Sequence, residues 1–191
     1  MSNKIICVVG MAGAGKSLVA DELVKQGFEY LRFGQITLNE VKRRGIEANE
    51  NNEREIREEF RKRYGMGAFA TLNLSKIDEL LKKGTGVVID GLYSWSEYKI
   101  LKEKYGEAMY VVAVYASPKL RYARLKNRSI EGDYNQRFRS LTEKESKNRD
   151  YAEIENIEKG GPIAMADFTI VNTGTIDELK IEVEKILKQI K

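Results

Sequence analysis

The chain has 191 residues, 42% of them hydrophobic, and a net charge of +4 from 33 Lys and Arg against 29 Asp and Glu. That length suits one domain, 1–191, whose core buries about 70% of the surface the unfolded chain exposes. It has no histidine and one cysteine, Cys7, which excludes Ser-His-Asp and Cys-His nucleophilic chemistry, zinc sites built on imidazole and an intramolecular disulfide. A reducing, cytoplasmic setting is the expectation. No run nears the ~20 apolar residues of a membrane span, and the charge excess falls short of a dedicated nucleic-acid binder.

Ile5 to Val9 is a short apolar, mostly β-branched run ending at Gly10. It superficially copies a signal peptide, but the run is very short and Lys16 follows at once, so a buried parallel strand is the better reading. Lys16 to Gln26 reads as a helix with Val19/Leu23 and Ala20/Val24 on one side and Gly27 as its stop. Phe28 to Phe33 is a second strand. Residues 35–83 hold three helical stretches, Ile36 to Arg44, the very polar Glu53 to Tyr64, and Ala68 to Lys83. Val87 to Asp90 is a third strand, and Ser94-Trp95-Ser96-Glu97 is a capping box opening a helix. Tyr110 to Tyr115 is a fourth strand, followed by a helix with Ser117 as N-cap and Pro118 at its first position. Residues 129–160 are polar and helix-compatible without a strong apolar stripe. Phe168 to Val171 is a fifth strand, and a second capping box at Thr175–Glu178 opens the last helix, with Ile176, Leu179, Val183, Ile186 and Ile190 as its stripe. Five strands alternating with helices predict an α/β fold, a parallel sheet covered on both faces.

One motif carries chemistry by itself. Gly10-Met11-Ala12-Gly13-Ala14-Gly15-Lys16-Ser17 fits G-x-x-x-x-G-K-[ST] between a strand and a helix. Gly10, Gly13, Ala14, Gly15 and the first helical residues up to Leu18 would turn backbone N–H groups toward phosphates. Lys16 would reach the terminal phosphates, and the Ser17 hydroxyl would ligate Mg²⁺. Asp90 ends an apolar strand, where a carboxylate can stand beside Ser17 and hold the metal. Arg121, Arg124 and Arg128 share one helix face, either as a solvated basic surface or as a cation cluster facing the nucleotide.

The order of these parts resembles the adenylate-kinase and dephospho-CoA-kinase group of small P-loop kinases, and is most similar to an archaeal-type branch related to dephospho-CoA kinase. Besides the loop at 10–17, the resemblance rests on Val-Lys-Arg-Arg-Gly at 41–45, Tyr-Gly-Met-Gly at 64–67, Val-Val-Ile-Asp-Gly at 87–91, Ala-Ser-Pro-Lys at 116–119, Arg124-Leu-x-x-Arg128, Arg149-Asp150 and Ala166 to Gly174. It implies strand order 2-3-1-4-5, an acceptor-side helical insertion at 35–83 and a lid near 128–160. It further implies Mg-ATP as donor, Arg124 against adenine, Arg128 on phosphates, Arg149 reaching in from the lid, and Asn172 to Gly174 as part of the adenine wall.

The departures concern the acceptor. Relatives acting on nucleoside monophosphates carry Thr-Gly-Asp-x-x-Arg after the second strand and Asp-Gly-Phe-Pro-Arg after the third. Here those stretches are Phe33 to Leu38, with Gln35 for the acid and Leu38 for the arginine, and Asp90-Gly91-Leu92-Tyr93-Ser94. Lys42, Arg43, Arg44, Arg54, Arg57 and Arg61 are either replacements for the missing arginines or, with acids interleaved among the last three, a solvated helix face. Phe33, Leu38, Leu92, Tyr93 and Trp95 either line a wall for a larger acceptor or pack the core. The expectation is a kinase acting on a nucleotide-like small molecule. A regulatory nucleotide-binding module and an RNA-associated NTPase are the alternatives.

Overall fold

The structure, a computed structural model, describes residues 3–128 and 140–190. Five strands, β1 (Ile5–Val9), β2 (Glu29–Arg32), β3 (Val87–Asp90), β4 (Met109–Tyr115) and β5 (Phe168–Val171), form one sheet in the order β2-β3-β1-β4-β5. Every pairing is parallel. The expected strand order is therefore observed.

Strand alternation divides the core in two. Ile5, Cys7 and Val9 pack on one face with Val87, Ile89, Val111 and Ala113, covered by α4 (Ala68–Leu81) and α5 (Trp95–Tyr105). Ile6 and Val8 pack on the other face with Val88, Val112 and Val114, covered by α1 (Lys16–Lys25) and α9 (Ile176–Gln189). Both faces are apolar because a parallel sheet is buried on both sides, which explains why the strands read as near-continuous apolar runs.

The 35–83 stretch divides by role. Phe69, Ile77 and Leu80 place α4 in the core, so it is a covering helix of the sheet. α2 (Gln35–Arg44) and α3 (Glu50–Tyr64) bury less, mainly Thr37 and Val41 on one and Glu53 and Ile56 on the other. α6 (Pro118–Lys126) starts at Ser117 and Pro118 as expected, but the Ser117 side chain makes no capping bond. Extended backbone at Ser117 and the fixed φ of Pro118 open that helix instead.

The polar stretch after α6 holds α7 (Glu143–Glu155) and the short α8 (Gly160–Ala164). Thr142 and Glu145 form a reciprocal capping box at the start of α7, a signal that a search for apolar stripes passes over. The buried side chains of α7 are Ser146, Asp150 and Glu153. Their burial is polar, so hydropathy does not register it.

Candidate nucleotide site

The loop from Gly10 to Ser17 lies between β1 and α1, at the carboxyl edge of the sheet. Gly13 has φ 77° and Gly15 φ 105°, the left-handed region that glycine enters without steric cost. Each also lies against a neighbour. A Cβ on Gly13 would stand 2.7 Å from the Arg121 carbonyl oxygen, and one on Gly15 would strike the Asn172 amide. At Gly10 the obstacle is the Val114 carbonyl. The loop is thus a backbone cradle held against β4, β5 and α6.

Three braces fix it. Asn172 Nδ2 donates to the Ala14 carbonyl at 2.8 Å. Arg121 Nη1 donates to the Ala12 carbonyl at 2.9 Å, and Lys16 Nζ to the Met11 carbonyl at 3.1 Å. Gly15 stands at the N-cap of α1 and has no side chain to cap it. The opening N–H groups of α1 therefore face the cradle without a built-in acceptor, as an anion site requires. Leu18 is 40% exposed, and its amide donates to the Gly15 carbonyl at 3.0 Å, so that N–H belongs to the helix. Ser17, in the first turn, is half-buried.

Asp90 ends β3 in register with Val8 of β1 and Arg32 of β2. Its Oδ2 accepts from the Tyr30 hydroxyl at 2.9 Å. Burial lowers the Lys16 pKa to about 7, helped by the positive charge of Lys159 and opposed by Asp90 and Glu153. Arg149 also acts on Lys16, and its Nε donates to Glu153 Oε1 at 2.9 Å. The structure thus brings Lys16, Asp90 and Arg149 into one electrostatic neighbourhood, three of the four residues expected to act on the phosphates. The fourth, Arg128, follows the C-cap Asn127 of α6 and is half-buried. Of the lid expected near 128–160, residues 129–139 lie outside the described residues.

The three arginines read as one face of α6 separate in function. Arg121 is 4% exposed and neither solvated nor turned to a ligand. It makes a two-pronged ion pair with Asp150 of α7, at 2.9 Å and 2.5 Å, and bonds the Ala12 and Ala116 carbonyls. Tyr122 completes the pair by donating to Asp150 at 2.9 Å. Arg124 Nη2 donates to the Asn172 carbonyl at 3.0 Å, while its Nη1 is buried without a partner. Burial lowers the Arg124 pKa. Asn172 therefore supports the loop through its side chain and Arg124 through its backbone. Gly174 leaves room for the Glu178 carboxylate, which a Cβ would strike; that carboxylate closes the cap of α9.

Phe33 and Leu92 are 0% and 1% exposed and belong to the core, because the alternation of β2 and the turn after Asp90 point them beneath the sheet edge. Leu38, Tyr93 and Trp95 are half-buried. Of the six candidate cations on α2 and α3, Lys42 is exposed, Arg43 and Arg44 bond Glu40, Arg54 lies 4.0 Å from Glu58, and Arg57 bonds Glu50. Arg61 alone of the six turns inward. Its guanidinium lies 5.2 Å from the Phe69 ring centroid, with Nε buried and unpartnered, and burial lowers its pKa. The charge that acts on it most strongly is that of Glu97.

Sequence reasoning missed Lys159, Glu153 and Glu97 as parts of the site. Arg149 and Glu153, four apart on a helix, were a legible pair. Lys159 lies in a stretch without a strong apolar stripe and carries no signal of its own.

The AAA domain family AAA_18 matches residues 6–156. The UPF0200 protein TK1334 of Thermococcus kodakarensis is 35% identical over 187 residues, 97% of each chain. A UPF0200 protein of Sulfurisphaera tokodaii is 35% identical over 190 residues, 98% of this chain and 97% of the other. Among solved structures, TT1252 from Thermus thermophilus superposes with a TM-score of 0.68 over 100% of both chains at 16% identity. A gluconokinase from Sinorhizobium meliloti gives 0.61 at 14% identity, covering 98% and 93%. A shikimate kinase from Acinetobacter baumannii gives 0.56 at 21%, covering 98% and 94%. At these identities the structural likeness establishes the P-loop kinase fold. By sequence, the chain belongs to the UPF0200 family and to the AAA domain family.

Proposed function

We propose that this chain is an ATP-dependent small-molecule kinase that moves the γ-phosphoryl group of Mg-ATP to a nucleotide-like acceptor. The observation that carries the reading is the braced glycine cradle, with Lys16 at its mouth and Asp90 on the adjoining strand. A cradle whose glycines cannot accept a Cβ, opening on an uncapped helix, fits a polyphosphate and gives a loop without ligand no advantage.

Gly10 to Ser17 would hold the phosphates, and Arg124 the adenine side with Asn172 and Gly174. Ser17 and Asp90 suit Mg²⁺, which supplies charge neutralisation at the phosphate oxygens when bound. In the transfer, the γ-phosphorus breaks its bond to the bridging oxygen and forms one to an acceptor oxygen. ADP departs with the electron pair, and the proton of the acceptor hydroxyl passes to solvent. Lys16, Arg128 and Arg149 offset the charge, and Asp90 orients the acceptor. Phosphoryl transfer depends mainly on such positioning, so the lack of histidine is no obstacle. The α7–α8 segment acts as part of a lid over the bound triphosphate.

Among acceptors, AMP, CMP and UMP should be poor. Leu38 makes no charged contact, and Ser94 is fully buried with its hydroxyl donated to the Met66 carbonyl at 2.9 Å. Two missing charge-assisted contacts cost about 1.5–3 kcal/mol each. Dephospho-CoA is the first acceptor to try, with gluconate and shikimate added because the fold neighbours are named for them. The test incubates protein, Mg-ATP and each acceptor and follows ADP release. A rise of tenfold or more with a larger acceptor supports the kinase. Slow release that no acceptor changes would point to a regulatory nucleotide-binding module.

A further inference from the structure

Lys159, between α7 and α8, is 1% exposed. A lysine is almost never so deeply buried without a partner, and its partner is Glu153, whose Oε2 accepts from Nζ at 2.5 Å. Nζ also stands 5.0 Å from the centroid of the Tyr93 ring. That ring lies against Gly91, the residue after Asp90, where a Cβ would come within 2.8 Å of it. Lys159 is therefore at the carboxyl end of β3, next to the strand that leads into the phosphate loop.

Other observations agree with that position. Of the charged residues around Lys16, Lys159 acts on it most strongly. Lys159 also acts on Glu97, at the start of α5. It thus stands between the donor loop and the acceptor side. The backbone holds it there. Glu158 has φ 53°, a left-handed conformation that a residue with a Cβ rarely adopts. The Lys159 amide donates to the Glu153 carbonyl at 3.1 Å, and Gly161 is pressed against the Trp95 ring.

Lys16, Arg149 and Lys159 gather here around Glu153 and Asp90, with Glu97 acting on Lys159 and Glu50 on Arg149. Three cationic donors beside one backbone cradle suit the several oxygens of a terminal phosphoryl group.

We infer that Lys159 binds the terminal phosphoryl group of the triphosphate, at the junction of donor and acceptor, and that Glu153 is the positioning residue that holds it there. The inference rests on the reading of the Gly10–Ser17 loop as a triphosphate site. A purely structural lysine, present only to neutralise Glu153, would predict a different result.

Binding by calorimetry separates the two, with Mg-ADP and the non-hydrolysable β,γ-imido analogue of ATP as probes. Lys159→Met should weaken the analogue tenfold or more and change ADP by less than twofold. The double variant Glu153→Gln/Lys159→Met removes the stranded carboxylate, so it guards against misfolding, and it should show the same selective loss. Equal changes for both nucleotides, no change, or recovery of analogue affinity in the double variant would overturn the assignment. A wild-type protein that binds neither nucleotide would overturn the kinase reading along with it. A wild type that binds both, with variants that do not discriminate, would overturn only the role of Lys159.

Discussion

Glu97 carries one charge in a place built for a hydrogen-bond acceptor. Its Oε2 accepts from the Tyr93 and Ser94 amides at 2.8 Å and 3.2 Å, while Oε1 is buried without a partner. Burial pushes its pKa up to about 7, against the two amide bonds and the charges of Arg61 and Lys159. The folded protein thus holds this proton more tightly than the unfolded chain does. Stability should fall as pH rises from about 4.5 to about 7 and then level off. Glu97→Gln keeps an oxygen for the two amides and removes the charge. Its stability relative to wild type should improve by on the order of 1–3 kcal/mol between pH 5 and pH 8, as read from denaturation midpoints. A pH-independent difference would show that Glu97 does not titrate in this window. At Asp90 the expected effect is on turnover. Asp90→Asn keeps shape and the bond from Tyr30 but loses the charge that suits metal and acceptor. It should slow turnover a hundredfold or more while nucleotide affinity changes less. A wild-type rate would make Asp90 a strand-end residue only.

At the scale of elements, the Arg121–Asp150 pair joins α6, α7 and the phosphate loop. Both side chains are nearly inaccessible, at 5% and 8%. Removing one partner leaves a buried charge, so Arg121→Ala should cost about 3–5 kcal/mol. Replacing both with apolar residues, as in Arg121→Met/Asp150→Leu, should recover most of that stability. Nucleotide affinity should not recover with it, because the bond from Arg121 to the Ala12 carbonyl is also gone. Denaturation and nucleotide titration of the two variants check this, and joint recovery of both properties would show that the loop needs no brace from α6.

For the molecule as a whole, two regions are held by different forces. The sheet and its covering helices are held by apolar burial. α7 is held by Arg121 and Tyr122 of α6 on Asp150, and Glu153 ties its end to Lys159. Burial works to raise the Glu153 pKa, but the charges of Lys159 and Arg149 outweigh it and hold the group at about 2. A segment fixed by charges responds to an added anion more than one fixed by hydrocarbon. Hydrogen exchange over residues 143–160 should slow when Mg-ATP is added, while β1 and β4 change little. Arg149→Ala should slow turnover with little loss of ground-state affinity. Exchange in 143–160 that ignores nucleotide would contradict a closing lid.

The fold was legible because its determinants are local and periodic. Apolar runs such as Val87 to Asp90 and capping boxes such as Ser94–Glu97 announce strand and helix within a few residues, and right-handed parallel crossovers leave few arrangements of the sheet. The glycine loop was legible for the same reason, since its spacing is itself the geometry. The rest depended on charges far apart in sequence. Whether an arginine meets water, a carboxylate or a ligand is decided by what the fold puts beside it. Arg121 meets Asp150, twenty-nine residues on, and is buried. Arg61 looks like its neighbours Arg54 and Arg57 in sequence, yet it alone turns inward. Lys159 lies in a stretch with no pattern and becomes one of the least exposed side chains in the protein. Periodicity records which face of an element is apolar. It does not record where opposite charges from separate elements meet, and in this protein that meeting builds the part of the site around Lys16.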